Sequence, residues 1–288
     1  MEKKMKKEYQ SAPLPFMGQK RMYARDFKEV LKQFPDDAIY LDLFGGSGLL
    51  SHITKHEKPN ATVIYNDYDN YRQRLDNIGR TNSLLAELRD MVKDYPRKDK
   101  LPSEIKAKIL QRLEEEEKVG FVDYITLSSS LMFSMKYATD LDGLKKEAFY
   151  NKIRQSDYVC DGYLDGLEIV SCDYKNLVEK YRNVQNVVYL VDPPYLSTEV
   201  GSYRMSWKLS DYLDVLSVLV GTSYIYFTSD KSNLLELCQW LGNNHWVGNP
   251  FHEAGQVDMY RTMNYSSAYT DIMLYKSKKN EQIPFDIE

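Results

Sequence analysis

The chain has 288 residues, of which 43% are hydrophobic and 28% are charged, and its formal net charge is −4. This length is sufficient for one large α/β domain and an insertion, and the apolar fraction is typical of a packed core. No apolar run reaches membrane-spanning length, and no signal-peptide core follows the lysine-rich start, so we expect a cytoplasmic protein that does not span a membrane.

The negative net charge hides two basic segments. Residues 1–31 contain eight Lys and Arg against four Asp and Glu, and residues 71–113 contain eleven against six. Such segments can contact nucleic-acid phosphates although the mean charge is acidic. Ordinary solvated helix faces explain the same composition, so both interpretations stay open.

The first informative element is a predicted strand that runs into a glycine-rich turn. Residues 38–43 form a short apolar run, residues 44–48 read Phe-Gly-Gly-Ser-Gly, and a helical pattern begins at Leu49. Strand, glycine turn and helix form a nucleotide-binding unit, because glycine permits close backbone approach and a helix start offers free N–H groups. A second predicted strand, 62–65, ends in Asn66-Asp67, where an acidic side chain can bind ribose hydroxyls.

The spacing is compatible with two classes of cofactor. A dinucleotide-binding fingerprint needs a third glycine, but Ser51 occupies that position. S-adenosylmethionine has no pyrophosphate and needs a glycine loop for its methionine part and an acid for its ribose. We therefore favour S-adenosylmethionine.

Residues 71–164 are predicted to form a mainly helical insertion. Thr81 is a candidate N-cap for a helix that ends at Pro96, and Ser103 is a candidate N-cap for the next helix. The aromatic and hydroxyl-rich residues 121–137 can line a groove, but a stripe such as Leu127, Leu131 and Met135 is more often core packing.

A further strand is predicted at 167–172 and is followed by Asp173. This carboxylate can accept a hydrogen bond from the adenine of a cofactor. It can also cap the helix predicted from residue 174, and the two roles are compatible.

The apolar run 187–191 ends in Asp192-Pro193-Pro194-Tyr195. At the carboxyl edge of a sheet, where open α/β folds bind ligands, this turn presents a carboxylate and rigidly directed carbonyls. The Asp192 carboxylate and the Pro193 carbonyl can both accept hydrogen bonds from a planar amine, and Tyr195 can stack on its ring. A simple strand-ending turn is the alternative explanation. Residues 197–207 then form a loop that can close over a base or serve as a connector.

Taken together, these motifs resemble those of the Dam-type DNA adenine methyltransferases, in which an FxGxG motif precedes a DPPY motif. Residues 15–20 also resemble the family's Trp-Ala-Gly-Gly-Lys segment, with Phe16 in place of the tryptophan, Gln19 in place of the second glycine, and Lys20 retained. The resemblance implies catalytic roles for Asp192, Pro193, Pro194 and Tyr195. It also implies cofactor contacts at Phe16, Lys20, Asp42, Phe44, Gly46, Gly48, Asp67 and Asp173.

The resemblance covers residues 10–70 and 165–277 and implies a Rossmann-like α/β methyltransferase sheet with helices on both faces. We expect a discontinuous catalytic domain, 1–70 and 165–288, and an inserted target-recognition domain, 71–164. The insertion contains neither the family's Asn-Arg segment nor its Phe-Asn-Pro-Phe-Gly-like turn. The resemblance therefore implies nothing about which DNA sequence is recognised.

The resulting hypothesis is a DNA adenine methyltransferase that uses S-adenosylmethionine and flips its target base out of duplex DNA. We expect a prokaryotic or phage-type, nucleoid-associated protein, monomeric or weakly dimeric, in a restriction-modification setting. Cys160, Cys172 and Cys238 are odd in number and lack paired zinc spacing, so neither a disulfide framework nor a metal is expected. Two alternatives stay open: an RNA adenine methyltransferase, and an inactive DNA-binding module that retains the cofactor fold.

Overall fold

The computed structural model describes residues 7–133, 137–194, 208–243, 249–264 and 267–278, with side chains undescribed at 263, 264 and 267. By their contacts the residues divide into two compact units. The helical unit comprises Met1–Arg21, Gly46–Leu49 and Asp69–Asp165, and the sheet unit comprises Met22–Gly45, Leu50–Tyr68 and Gly166–Glu288.

Within the described residues, the sheet unit contains seven strands in the order β3-β2-β1-β4-β5-β7-β6. Their bounds are β1 Ile39–Asp42, β2 Thr62–Asn66, β3 Glu168–Val170, β4 Val187–Val191, β5 Ser223–Ser229, β6 Gly255–Asn264 and β7 Ser267–Lys276. Strands β1 to β5 are parallel, while β6 and β7 form an antiparallel pair on the β5 side. The central strands are mostly apolar because both faces are covered, and the carboxyl ends of the parallel strands meet at one edge of the sheet.

The helices are α1 Ala24–Leu31, α2 Leu49–Glu57, α3 Tyr71–Asp76, α4 Ile78–Met91, α5 Ser103–Val119, α6 Tyr124–Leu131, α7 Leu141–Lys146, α8 Tyr174–Tyr181, α9 Leu209–Leu219 and α10 Leu234–Asn243. Helices α8, α9 and α10 cover one face of the sheet, where Leu177, Leu216 and Leu234 are buried in one cluster with strand residues. On the other face Phe27 of α1 packs against Phe227 of β5 at a ring-centroid distance of 6.2 Å. The predicted α/β, Rossmann-like sheet with helices on both faces is therefore confirmed.

The helical unit contains α3 to α7 around its own apolar core. Leu127 and Leu131 are fully buried in that core, so the packing interpretation of their stripe is correct, while Met135 lies outside the described residues. The predicted cap at Thr81 is wrong, because α4 begins at Ile78 and Thr81 is buried within it. Ser103 is the first residue of α5, and Pro102 holds the N-cap position.

The amino-terminal segment groups with the helical unit, although the sequence placed it with the catalytic domain. The reason is a set of buried hydrogen bonds. The Tyr71 hydroxyl accepts from the Leu14 N–H at 2.9 Å and donates to the Leu14 carbonyl at 3.1 Å, and Arg74 Nη2 donates to the Pro15 carbonyl at 2.8 Å. The functional roles of the predicted catalytic and target-recognition domains stay predictions.

Strand β6 was not predicted, because residues 255–264 are largely polar and lack an apolar run. They form a strand because β7 supplies backbone partners along most of their length, from Gly255 opposite Tyr275 to Asn264 opposite Ser267. No helix formed by the described residues is long and apolar enough to cross a membrane.

Candidate active site at the carboxyl edge of the sheet

Asp192 lies immediately after β4, the strand that pairs with both β1 and β5 in the middle of the sheet. Its side chain is partly exposed, whereas Pro193 and Pro194 are buried. The Tyr212 hydroxyl, on α9, donates a hydrogen bond to the Pro194 carbonyl. Tyr212 therefore supports the turn, and Asp192 is only partly buried within it. Tyr195 and the loop 197–207 lie outside the described residues.

A second carboxylate, Asp42, ends the neighbouring strand β1 and is fully buried. Its Oδ2 accepts a hydrogen bond of 2.6 Å from Ser51 Oγ in the first turns of α2. Burial raises the pKa of Asp42 to about 7, the Ser51 hydrogen bond opposes this change, and the charge of Asp192 adds to it. The two carboxylates thus interact electrostatically, and the Asp42–Ser51 bond spans the glycine turn between β1 and α2.

The glycine turn is required by close packing at one position and by backbone conformation at others. A Cβ at Gly45 would lie 2.3 Å from the ring of Tyr65 and 2.8 Å from the carbonyl oxygen of Asn66. Gly46 and Gly48 have positive φ angles of 48° and 73°, which side chains disfavour. The sequence pattern identified these glycines by type, and the structure supplies the reason for them.

Two predicted cofactor residues follow β2 and β3. Asp67 is buried, and its Oδ1 accepts a hydrogen bond of 3.0 Å from the Tyr65 hydroxyl. Asp173 is the N-cap of α8 and accepts from the Lys175 N–H at 2.8 Å, so the capping interpretation is correct. Phe44, which follows β1, packs its ring against that of Tyr174 at 5.1 Å.

Asn66, the last residue of β2, has no role in the sequence-based prediction, but its side chain makes three hydrogen bonds at this edge. It is buried, and its Nδ2 donates to the carbonyls of Leu43 at 3.0 Å and Cys172 at 2.9 Å. Its Oδ1 accepts from the Cys172 N–H at 3.1 Å. The only sequence signal was a polar side chain at the end of an otherwise apolar strand.

Comparison of the sequence with those of known proteins identifies the family. A sequence model of D12 class N6 adenine-specific DNA methyltransferases matches residues 16–214. The chain belongs to this family. A protein of Haemophilus influenzae (strain ATCC 51907 / DSM 11121 / KW20 / Rd), named "Putative methyltransferase", is 36% identical to this chain over 282 residues. The alignment covers 94% of each of the two chains. The predicted Dam-type family is therefore confirmed, and the protein is a methyltransferase.

Among solved structures, an rRNA methylase from Streptococcus thermophilus matches 90% of this chain and 96% of its own, with a TM-score of 0.32 and 11% identity. The strand order β3-β2-β1-β4-β5-β7-β6 and the family membership together identify the Rossmann-like fold of this D12 class methyltransferase.

The remaining predicted cofactor residues of this D12 class methyltransferase lie in the helical unit. Lys20 is buried, and its Nζ donates to the Gly18 carbonyl at 3.0 Å. Phe16 packs edge-on against the Tyr71 ring at 5.7 Å. Gln19, which replaces a family glycine, accepts from the Ala12 N–H at 3.1 Å through its side chain. The cofactor roles of Phe16, Lys20, Gly46 and Gly48 stay predictions.

A further buried polar group of this methyltransferase was not identified from the sequence. The Tyr23 hydroxyl is fully buried, and no described residue hydrogen-bonds to it. Burial raises its pKa, as do the charges of Asp271 and Asp192, while Arg261 lowers it. Arg261 and Asp271 form an ion pair of 3.0 Å on β6 and β7. Within the described residues no group of His, Cys, Asp and Glu is arranged to hold a metal ion.

Proposed function

We propose that this methyltransferase transfers the methyl group of S-adenosylmethionine to the exocyclic amine of adenine in duplex DNA. The observation that carries the proposal is the turn after β4, where the partly exposed Asp192 is followed by two buried prolines, the second of which accepts a hydrogen bond from Tyr212. Family membership gives adenine-specific DNA methylation as the class of reaction.

The chemistry requires hydrogen-bond acceptors rather than a protein nucleophile. The amine of adenine is a weak nucleophile because its lone pair is delocalised into the ring. The Asp192 carboxylate and the Pro193 carbonyl would each accept one amine hydrogen, which localises the lone pair and stabilises the positive charge that develops on nitrogen. Because the prolines fix the turn, these acceptors need little reorganisation during the reaction.

The cofactor proposal is supported by the carboxylate acceptors and the aromatic side chain that follow β1, β2 and β3. Asp67 would accept hydrogen bonds from ribose hydroxyls, and Asp173 would accept from the adenine amine of the cofactor. Phe44 offers an aromatic surface beside them, and Gly45 lets the turn pack directly on the Tyr65 ring, since a Cβ there would lie 2.3 Å from that ring. When bound, S-adenosylmethionine supplies an electrophilic methyl group on a sulfonium. These residues would hold it in place, and Asp42, which is buried and bonded to Ser51, would border the cofactor and support the turn.

Duplex DNA places a further requirement on the protein, because a stacked and paired adenine cannot reach the turn. Extrusion of the base costs on the order of a few kcal/mol, which contacts to the phosphate backbone and stacking by Tyr195 would offset. The basic residues of segment 71–113 are candidates for the phosphate contacts. A salt-dependent affinity for DNA is therefore expected.

The test is methyl transfer from radiolabelled S-adenosylmethionine to duplex DNA and, separately, to structured RNA. We expect label on the N6 position of adenine in DNA, and we expect Asp192→Asn to lower kcat by about 10²-fold or more while cofactor binding persists. Asp230→Asn is the matched control, because Asp230 follows the neighbouring strand β5, is exposed, and should tolerate the change. Normal turnover by Asp192→Asn would refute the proposed role of the carboxylate, and label only in RNA would refute the substrate.

A further inference from the structure

The Asn66 side chain joins three strands at the edge of the sheet where the candidate site lies. Its amide exchanges two hydrogen bonds with the backbone of Cys172, just beyond β3, and donates a third to the Leu43 carbonyl, just beyond β1. The backbone continues this pairing, because the Asp67 N–H donates to the Val170 carbonyl at 2.7 Å. A side chain thus extends the sheet by one step after its ladder has ended.

Asn66 and the two residues that its amide binds each lie one residue before a candidate cofactor residue. Leu43 precedes Phe44, Asn66 itself precedes Asp67, and Cys172 precedes Asp173. A shift in any of these three backbone positions therefore moves the following side chain directly. Because an amide is buried here with both donated bonds and its accepted bond satisfied, the relative positions of the three strand ends are strongly specified.

We propose that Asn66 is a positioning residue for the cofactor, which sets Phe44, Asp67 and Asp173 at mutually fixed places through the backbone. The proposal rests on the proposed use of S-adenosylmethionine at this edge. An asparagine is required because its amide presents two donors and one acceptor at the reach of a short side chain. Aspartate keeps the acceptor but loses both donors, and alanine loses all three groups.

A matched control exists in the helical unit. Asn82 Nδ2 donates to the Tyr158 carbonyl at 2.9 Å, and its Oδ1 accepts from the Tyr158 N–H at 2.9 Å. This is the same two-bond contact with one backbone residue that Asn66 makes with Cys172. Asn82→Ala therefore removes an equivalent contact from a residue that has no part in the proposed cofactor site.

The experiment measures S-adenosylmethionine binding by titration calorimetry, and methyl-transfer kinetics, on the full chain of each variant. We expect Asn66→Ala and Asn66→Asp to raise the Kd and the KM for the cofactor by about tenfold to hundredfold, with kcat at saturating cofactor changed by less than about threefold. Asn82→Ala should leave the cofactor Kd within about twofold of the wild-type value. A Kd for the Asn66 variants equal to that of the wild type would overturn the proposal.

A double-mutant cycle separates positioning from general destabilisation. Because Asn66 would act in part through Asp67, adding Asn66→Ala to Asp67→Ala should weaken cofactor binding by less than Asn66→Ala does alone. Fully additive losses would contradict the proposed route. Failure of the wild-type protein itself to bind S-adenosylmethionine would instead refute the proposed function, so the two failures are distinct.

A measurement on the wild-type protein covers the case in which Asn66 variants do not fold. Hydrogen exchange followed by mass spectrometry should show that S-adenosylmethionine slows exchange together in the peptides around Phe44, Asp67 and Asp173. The peptide around Tyr158 should be unchanged. Slowing in one of the three peptides without the others would overturn the inference that a shared amide couples them.

Discussion

Replacement of Asp42 by asparagine should change how the stability of the protein depends on pH. Asp42 is fully buried, and its pKa is raised from the ordinary 3.8 to about 7, first by burial and further by the charge of Asp192, against the Ser51 hydrogen bond. The folded protein therefore holds a proton on Asp42 over a range in which the unfolded chain has released it. Because the folded state binds more protons, stability falls as the pH rises through this range.

The magnitude follows from the difference between the two pKa values. Each pH unit corresponds to about 1.4 kcal/mol, so the whole range from 3.8 to about 7 amounts to about 4 kcal/mol. Between about pH 5 and pH 8 the expected part of this loss is about 2–3 kcal/mol, since some of it has already occurred below pH 5. Asp42→Asn removes the titrating group, so the loss should be absent from the variant.

The assay is urea unfolding followed by circular dichroism for the wild type and Asp42→Asn between about pH 5 and pH 8. The difference in unfolding free energy between the two proteins should move by about 2–3 kcal/mol in favour of the variant as the pH rises. This difference cancels the titration of groups common to both proteins. A difference that is constant with pH, or that moves in favour of the wild type, would refute the reasoning that a buried carboxyl is protonated here.

Two further substitutions test the supports of the candidate site. Gly45→Ala places a Cβ 2.3 Å from the Tyr65 ring and should destabilise the protein by about 1–3 kcal/mol and weaken cofactor binding, as read by thermal unfolding and calorimetry. Gly79→Ala, with nothing within 4 Å of its new Cβ, should be neutral or stabilising, and equal losses in both variants would contradict the packing argument. Tyr212→Phe leaves the Pro194 carbonyl, in the turn after β4, without its donor, and we expect it to lower kcat at saturating substrates by about tenfold. Tyr40→Phe removes a similar bond to a proline carbonyl away from the site, so a loss of kcat as large as that of Tyr212→Phe would show that the turn is not specifically supported.

The amino-acid sequence by itself determined the elements whose signals are local. An apolar run followed by Phe-Gly-Gly-Ser-Gly, and another followed by Asp-Pro-Pro-Tyr, identify strands and the turns that end them, because hydrophobic period and turn chemistry act between neighbours in the chain. The order of these motifs also indicated the family and therefore the α/β sheet. The ends of two predicted strands pointed to Asp67 and Asp173, and the family's own pattern added Asp42.

Tertiary structure decided the features that depend on residues distant in the chain. Asn66 and Cys172 are 106 residues apart. The residues that neighbour Asn66 in the sequence do not indicate that its amide bonds to the ends of two other strands. The grouping of Leu14 with Tyr71, across 57 residues, likewise depends on a buried hydroxyl. Strand β6 exists because β7 offers it backbone partners rather than because its own residues favour a strand. In each case the deciding interaction is a buried hydrogen bond or ladder whose partner is supplied only when the chain has folded.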